Sequence, residues 1–385
     1  MFNDIIRGNK ESSVYIDKIE WWKYRKSLDN KMKDLIDCLE NIIGISRYMF
    51  YGLINDSKID ETLNDMCMLI TELGFKSKIN FKASILKLIL IDYFNCGTNI
   101  SNMIEQIKSC AIINPQRLSK SFLLELSNLL SSITNNEKDL PNLLQNYIYD
   151  PVILILEPSL TCLPWESIKF LTKQQIYRQP CNSNLIVSLL KANMTLNCLN
   201  FNNSFYMVNL TGDLKATQEM FEPWFKLLGW KGLCNTAPSN EQFLKAITQF
   251  ELFVYCGHGA GNAYIKKDEL SQAEGKAVSC LMGCSTGYLQ SNGLFEPYGV
   301  LLNYLMAGCP TVIANLWDVT SRDLDRYFKN LLENWIESPS SSLGIIVQKS
   351  RFVCKLPYMV GSSPIVYGLP CVLDETTLNV PSIEK

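Results

Sequence analysis

The chain has 385 residues, 47% of them hydrophobic and 19% charged, with a formal net charge of −2. That length holds two or three domains with a sizeable core, and the composition is that of a globular rather than a disordered chain. Mixed charges of low net sign exclude a nucleic-acid surface or a polybasic membrane anchor as the organising feature, so no direct nucleic-acid partner and no membrane are expected.

Long apolar runs such as "SILKLILI" and "PVILILEP" fall far short of the ~18 residues of a membrane span. The opening "MFNDIIRGNK" lacks the charged-then-apolar pattern of a signal peptide. Fourteen cysteines occur without a CxxC pair, and one histidine, His258, serves the whole chain. A histidine-based zinc site is therefore nearly excluded, and no metal or organic cofactor is expected. Most of the cysteines read as reduced, buried thiols of an intracellular protein.

Residues 1–148 read as an all-α region. Leu28, Met32, Leu35, Leu39 and Ile42 recur at spacings of three and four, which places one apolar stripe on a helix face. Similar patterns fall around 60–73, 80–94 and 116–133, separated by Asn/Ser-rich breaks, without a fixed repeat period. No residue pattern in this stretch points to chemistry, so it reads as a scaffold or regulatory region.

The texture changes in the second part, 149–385. "PVILILE" (151–157), "SFYMVNL" (204–210), "ELFVY" (251–255), "KAVSCLMG" (276–283) and "PTVIANL" (310–316) are short, β-rich apolar runs. Amphipathic segments lie between them, one opened by Ser239 and Gln242 as a capping box. Nearly continuous apolar strands alternating with helices predict an α/β fold whose mainly parallel sheet is covered on both faces. In such sheets, sites gather outside the carboxyl ends of the strands.

Two strand ends carry reactive residues. "CGHGAG" begins where "ELFVY" ends, and "SCLMGCSTG" ends its strand in Gly-Cys-Ser. If the two strands are parallel neighbours, His258 and Cys284 share one edge of the sheet. A thiol beside an imidazole is the minimum apparatus for nucleophilic catalysis. The bland readings are a satisfied structural histidine and an inert strand-end cysteine, and spacing alone leaves both open. A phosphate cradle in "GHGAG" lacks a following Lys-Ser/Thr. Cys256, two residues before His258, reads as a strand cysteine.

The wording around these positions resembles the carboxyl-terminal protease domain of separase. The resemblance rests on "LPWESI", "GDLKATQEMFEPWFKLLGWKG", "LFVYCGHGAGNAYI", "LMGCSTG", "LMAGCPTVIANLWDVTSRDLDRYF" and "CKLPYMVGSSPIVYGLPCVL", in that order over roughly residues 150–373. It implies a caspase-like α/β/α sandwich, here preceded by the all-α region, in which a Cys–His dyad cleaves peptide bonds after arginine in (Asp/Glu)xxArg sites. The implied substrate is the kleisin subunit of cohesin, cut at anaphase onset. The implied partner is a securin-like pseudosubstrate inhibitor, and the implied setting is cytoplasmic and nuclear.

Carried over, Cys284 is the nucleophile and His258 the base, with the backbone N–H groups of Gly259 and Cys284 as the oxyanion hole. Such donors are worth about 3 kcal/mol each to the transition state. An arginine pocket needs an acid, and Asp318 in "NLWDVTSRDLD" lies closest to its strand end. Asp323 and Asp325 fall at helical positions, where stabilising a helix amino terminus is the plainer role. Trp317 could stack on the arginine or be buried in the core. Glu166 in "LPWES" could orient the histidine or line the pocket. Ser321 stands where relatives commonly carry an acid, a position expected to be tolerant. The chain is short for the family, so a minimal form and a fragment both remain open. Asp4–Arg7 and Asp323–Arg326 match (Asp/Glu)xxArg at about chance frequency, the second within an expected helix. The alternative function is a catalytically silent caspase-like binding scaffold.

Overall fold

The structure, a computed structural model, describes residues 1–14, 17–97, 99–110, 118–137, 139–191, 197–293 and 295–378. The amino-terminal part is helical: α1 (Phe2–Glu11), α2 (Lys18–Ile43), α3 (Ser57–Lys76), α4 (Ala83–Cys96), α5 (Ile100–Cys110), α6 (Lys120–Asn136) and α7 (Leu140–Asn146). The expected stripe of α2 holds for Leu28, Met32 and Leu35, which are buried, but Ile42 is 75% exposed and Ile36 is buried instead. The pattern at 60–73 falls in α3, that at 80–94 in α4 from residue 83 on, and that at 116–133 in α6 from residue 120 on, with 116 and 117 outside the described residues.

The described chain divides into two compact units. One comprises Met1–Asp37, Ile153–Ile168 and Gln175–Lys385; the other comprises Cys38–Val152 and Lys169–Gln174. This differs from the expected boundary at 148/149, because α1 and the first five turns of α2 pack with the sheet-bearing unit. Hydrogen bonds and ring contacts to distant segments do this, and they leave no periodic signature in a sequence. The second unit has its own apolar core, including Leu63, Ile70, Ile89, Leu90, Leu126 and Leu130. Within it the buried Asp92 accepts from Arg47 Nε at 2.7 and 2.9 Å and from Gln106 at 2.9 Å.

The first unit is built on an eight-stranded sheet. In chain order its strands are β1 (Val152–Ile155), β2 (Ile176–Gln179), β4 (Ser204–Val208), β5 (Lys231–Cys234), β6 (Leu252–Cys256), β7 (Val278–Leu281), β10 (Thr311–Asn315) and β11 (Pro364–Gly368). Two short pairs flank them: β3 (Asn197–Leu199) with β12 (Cys371–Leu373), and β8 (Gln290–Asn292) with β9 (Phe295–Tyr298). The spatial order is β1-β2-β11-β10-β7-β6-β4-β5. From β5 to β10 all pairings are parallel, and β11 runs antiparallel to β10 and parallel to β2. The fold is thus the expected mixed α/β type with a mainly parallel sheet.

All five predicted strands are present. Those forming the middle of the sheet are apolar along almost their whole length because both faces are covered. Helices α9 (Lys215–Leu227), α13 (Ser321–Glu337) and α14 (Leu343–Ser350) pack together on one face. Helices α10 (Asn240–Thr248), α11 (Lys267–Ser271) and α12 (Val300–Ala307) cover the other, as right-handed crossovers require. The remaining helix, α8 (Asn182–Lys191), contacts β2. The capping box opening α10 forms in both directions between Ser239 and Gln242.

The thirteen cysteines whose side chains are described are all free, but only six are buried; five are half-buried, and Cys38 and Cys198 are exposed. That is fewer buried thiols than the composition suggested. Among the described residues no group of His, Cys, Asp and Glu is arranged to hold a metal ion, and no helix is long and apolar enough to cross a membrane.

Candidate active site

Strands β4, β6, β7 and β10 are consecutive parallel neighbours, so their carboxyl ends lie side by side. Beyond these four ends come, in spatial order, Asp213, His258, Cys284 and Asp318. The sheet register explains the juxtaposition: Tyr255 pairs with Leu281 and Ile313 with Cys280. His258 and Cys284 therefore share one edge of the sheet, as their strand positions required.

The loops carrying them are locked together. Gly283 passes so close to the histidine loop that a Cβ there would lie 2.1 Å from the Gly259 carbonyl oxygen and 2.6 Å from that of Gly257. Only glycine fits such an approach. Gly259 has φ of +59°, a left-handed conformation that also favours glycine. The Tyr255 hydroxyl donates to the His258 carbonyl at 2.8 Å, and the Tyr304 hydroxyl donates to that of Ala260 at 2.8 Å. The backbone course of the histidine loop is thus held by two buried tyrosines from beneath.

Cys284 is half-buried, and its thiol donates to the Val319 carbonyl at 3.5 Å. Burial pushes this thiol up; Asp318 adds to the shift, while the Val319 contact and the Arg25 guanidinium oppose it. The group therefore rests as a thiol, and nucleophilic attack requires a base. The turn after it is fixed to β10: Asn315 Nδ2 donates to the Gly283 carbonyl at 2.9 Å, and the Ser285 amide donates to the Trp317 carbonyl at 3.2 Å. Ser285 itself has φ of +53°, and its hydroxyl donates to Asp318 Oδ1 at 2.5 Å. This bond fixes one carboxylate oxygen of the half-buried Asp318 beside the nucleophile turn.

Trp317 is buried, donating its indole N–H to the Met359 carbonyl at 2.7 Å with its ring edge-on to Phe2 at 5.9 Å. Of the two roles open to it in the sequence, the structure realises burial in the core. Glu166 is not brought to the site edge. It is buried in a two-pronged ion pair with Arg178, Nε to Oε1 at 2.6 Å and Nη2 to Oε2 at 2.7 Å. Burial would raise its carboxyl, but the Arg178 guanidinium outweighs that and holds it below the usual carboxylate range. With both oxygens taken, it is not an open acceptor for a guanidinium or an imidazole. Arg178 lies on β2, a strand without an apolar run, which is why this pairing was not visible in the sequence.

Asp323 lies in the first turn of α13, as its helical position suggested, and it does more than face a dipole. It accepts from the amides of Lys355 and Leu356 at 2.9 and 3.0 Å. Asp325 is buried and accepts from the Thr217 hydroxyl of α9 at 2.7 Å. Ser321 is exposed at the start of α13, and Cys256 is buried at the end of β6 with its thiol pushed far up by burial. Both (Asp/Glu)xxArg matches lie on helices, Asp4–Arg7 on α1 and Asp323–Arg326 on α13.

Two sets of site residues were missed. The first is in α1 and α2. Asn9 Nδ2 donates to the Asp318 carbonyl at 2.7 Å, while its Oδ1 accepts from the buried Arg25. Asp29 accepts from the amides of Tyr358 and Met359 at 3.0 and 2.7 Å. The second is Asp213, whose Oδ2 lies 2.8 Å from His258 Nε2. The strand-end rule applied to "SFYMVNL" would have found it, since "TGDL" follows that strand as "CGHG" follows the next.

Comparison with known proteins decides the family. A family model described as "Separin, protease domain" matches residues 1–324. The chain belongs to the separin protease-domain family. Separin of Schizosaccharomyces pombe is 32% identical over 405 residues, covering 96% of this chain and 21% of that protein. Separin of Mus musculus is 30% identical over 381 residues, covering 97% and 17%. The chain spans about a fifth of the length of these curated relatives. The crystal structure of the Saccharomyces cerevisiae separase–securin complex is similar with a TM-score of 0.79 and 25% identity, over 97% of this chain and 27% of that one. The family match starts at Met1, so α1 and α2 belong to the matched domain, in keeping with the contacts of Phe2 and Asn9 with Trp317 and Asp318 and of Asp29 with Tyr358 and Met359.

Proposed function

We propose that this chain is a cysteine endopeptidase that cuts after arginine in (Asp/Glu)xxArg sequences, with Cys284 as nucleophile and His258 as base. The observation that carries the proposal is the alignment of His258, Cys284 and Asp318 at the carboxyl ends of three adjacent parallel strands, β6, β7 and β10.

In the proposed mechanism, His258 takes the proton from the Cys284 thiol as sulfur attacks the scissile carbonyl carbon. The N–H groups of Gly259 and Cys284 receive the developing oxyanion. Collapse of the tetrahedral centre breaks the C–N bond, and the imidazolium returns its proton to the leaving amine. Water then attacks the thioester with His258 again as base, releasing the acid and restoring the thiol. Asp318 receives the substrate guanidinium, pre-aligned through one oxygen by Ser285. No step calls for a metal or an organic cofactor.

The proposed substrate is the kleisin subunit of cohesin, and the proposed inhibitor is a securin-like pseudosubstrate. Family membership supports the first, and the structural neighbour bound to securin supports the second. The proposed setting is the cytoplasm and the nucleus, where such a substrate is met.

The test is hydrolysis of a fluorogenic peptide ending in Glu-x-x-Arg. Wild-type protein is expected to cleave it and to be labelled at Cys284 by an acyloxymethyl ketone carrying a P1 arginine. Cys284→Ser and His258→Ala are expected to lose turnover while remaining folded. Neither cleavage nor labelling by folded wild-type protein would instead leave a silent binding scaffold.

A further inference from the structure

Beside the proposed dyad stands a carboxylate that the Cys–His reading does not use. Asp213 follows β4 in the turn leading to α9, and that turn is held on three sides. The Asn209 amide donates to the Cys256 carbonyl at 2.9 Å, tying the turn to the end of β6, two residues before His258. Asn209 has φ of +51°, and its Oδ1 accepts from the Leu214 amide at 2.6 Å. Its Nδ2 donates to Gln218 at 2.8 Å and to Asn235, just beyond β5, at 3.0 Å.

Asp213 sits on this braced turn with both oxygens engaged. Oδ1 accepts from the Thr211 hydroxyl, and Oδ2 faces His258 Nε2 at 2.8 Å. The Thr211 hydroxyl and the histidine ring hold its carboxyl below the usual range, so it is an anion throughout the neutral region. An anionic carboxylate only accepts, so the ring nitrogen facing it must carry the proton.

We infer that Asp213 is a positioning residue that fixes His258 as the Nε2–H tautomer and leaves Nδ1 as the free base that takes the Cys284 proton. A neutral imidazole has one donor and one acceptor nitrogen, and whichever partner binds one nitrogen decides the chemistry of the other. Without Asp213 the ring is free to rotate and to exchange tautomers, and the fraction poised to accept the thiol proton falls.

The pair is unsuited to a purely structural role. The side chains of His258 and Asp213 are 59% and 58% exposed, and exposed ion pairs add little to stability. Its removal should therefore be felt in turnover and in the ring, not in the fold. This inference rests on His258 being the base, and the experiment separates the two.

Because His258 is the only histidine in the chain, nitrogen NMR of the labelled full chain gives one pair of imidazole signals without assignment. In the neutral-imidazole form, reached by raising pH until the ring signals stop moving, the wild type is expected to show a protonated Nε2 and an unprotonated Nδ1. Asp213→Ala should mix the tautomers and lower kcat about tenfold or more, with KM and the unfolding midpoint unchanged. Asp213→Glu should restore a substantial part of both readouts. An unchanged tautomer and an unchanged kcat in Asp213→Ala would overturn the inference. The tautomer measurement needs no turnover, so an inactive wild type would sink the protease reading while leaving the ring result interpretable.

Discussion

The two walls of the candidate site are built in opposite ways. The wall that carries the buried Trp317 and the half-buried Asp318 and Val319 is cross-braced by residues far apart in the chain. Phe2 meets the Trp317 ring, Asn9 holds the Asp318 carbonyl, and Asp29 and Asp323 hold the amides of residues 355–359, where the indole is anchored. The wall that carries Asp213 and His258 is exposed at its tip and held by hydrogen bonds among its own adjoining turns. The difference follows from the proposed tasks. A pocket that selects one guanidinium gains from rigid, pre-placed acceptors, whereas a base that exchanges protons with sulfur, amine and water must stay open to solvent while its other nitrogen is held.

The largest expected effect lies on the braced wall. Asp318→Ala should lower kcat/KM for a peptide ending in arginine about a thousandfold, because the guanidinium then enters without its counter-charge. The fold should survive, since the carboxylate is half-buried and Ser285, its side-chain partner among the described residues, can turn to water. Full retained activity would show that another group receives the arginine.

Next in size is the brace itself. Asp29→Ala leaves the Tyr358 and Met359 amides without their acceptor, and each such loss costs about 1–3 kcal/mol. Denaturant unfolding should register a drop of about 2 kcal/mol or more together with reduced turnover, because Met359 anchors the Trp317 indole. Asp29→Asn keeps an acceptor oxygen and should lose clearly less. Equal losses in the two variants would mean that the charge, not the acceptor, matters.

The contrast between the walls also explains what could be read in advance. The strands that position His258, Cys284 and Asp318 were legible because both faces of a parallel sheet demand unbroken apolar runs. The short strands IYRQ and KGLC were not, since β2 is built around the buried Arg178 and β5 lies at the sheet edge. The brace was invisible for a different reason. Asn9, Arg25 and Asp29 look like the solvated face of an amphipathic helix, and only long-range packing shows that they are buried. Glu166 misled in the converse way, because a carboxylate near a strand end looks available until its partner on another strand is known.

The smallest effect concerns the bond between the two faces of this contrast, where Asp325 of α13 accepts from Thr217 of α9. Burial pushes the Asp325 carboxyl up to about 6, and the Thr217 hydroxyl only partly offsets it. An unfolded aspartate titrates near ~3.9. Between these values the native state binds more protons at this site than the unfolded one, so this carboxyl's contribution to stability is most favourable below about pH 4 and falls as pH rises to about 6. Above that the penalty is constant, on the order of 3 kcal/mol. Asp325→Asn should remove it, raising the unfolding free energy at pH 7 and leaving little difference at pH 4. A variant no more stable at pH 7 than the wild type would mean that the buried carboxyl is solvated in the native state, and that the two helices are joined there through water.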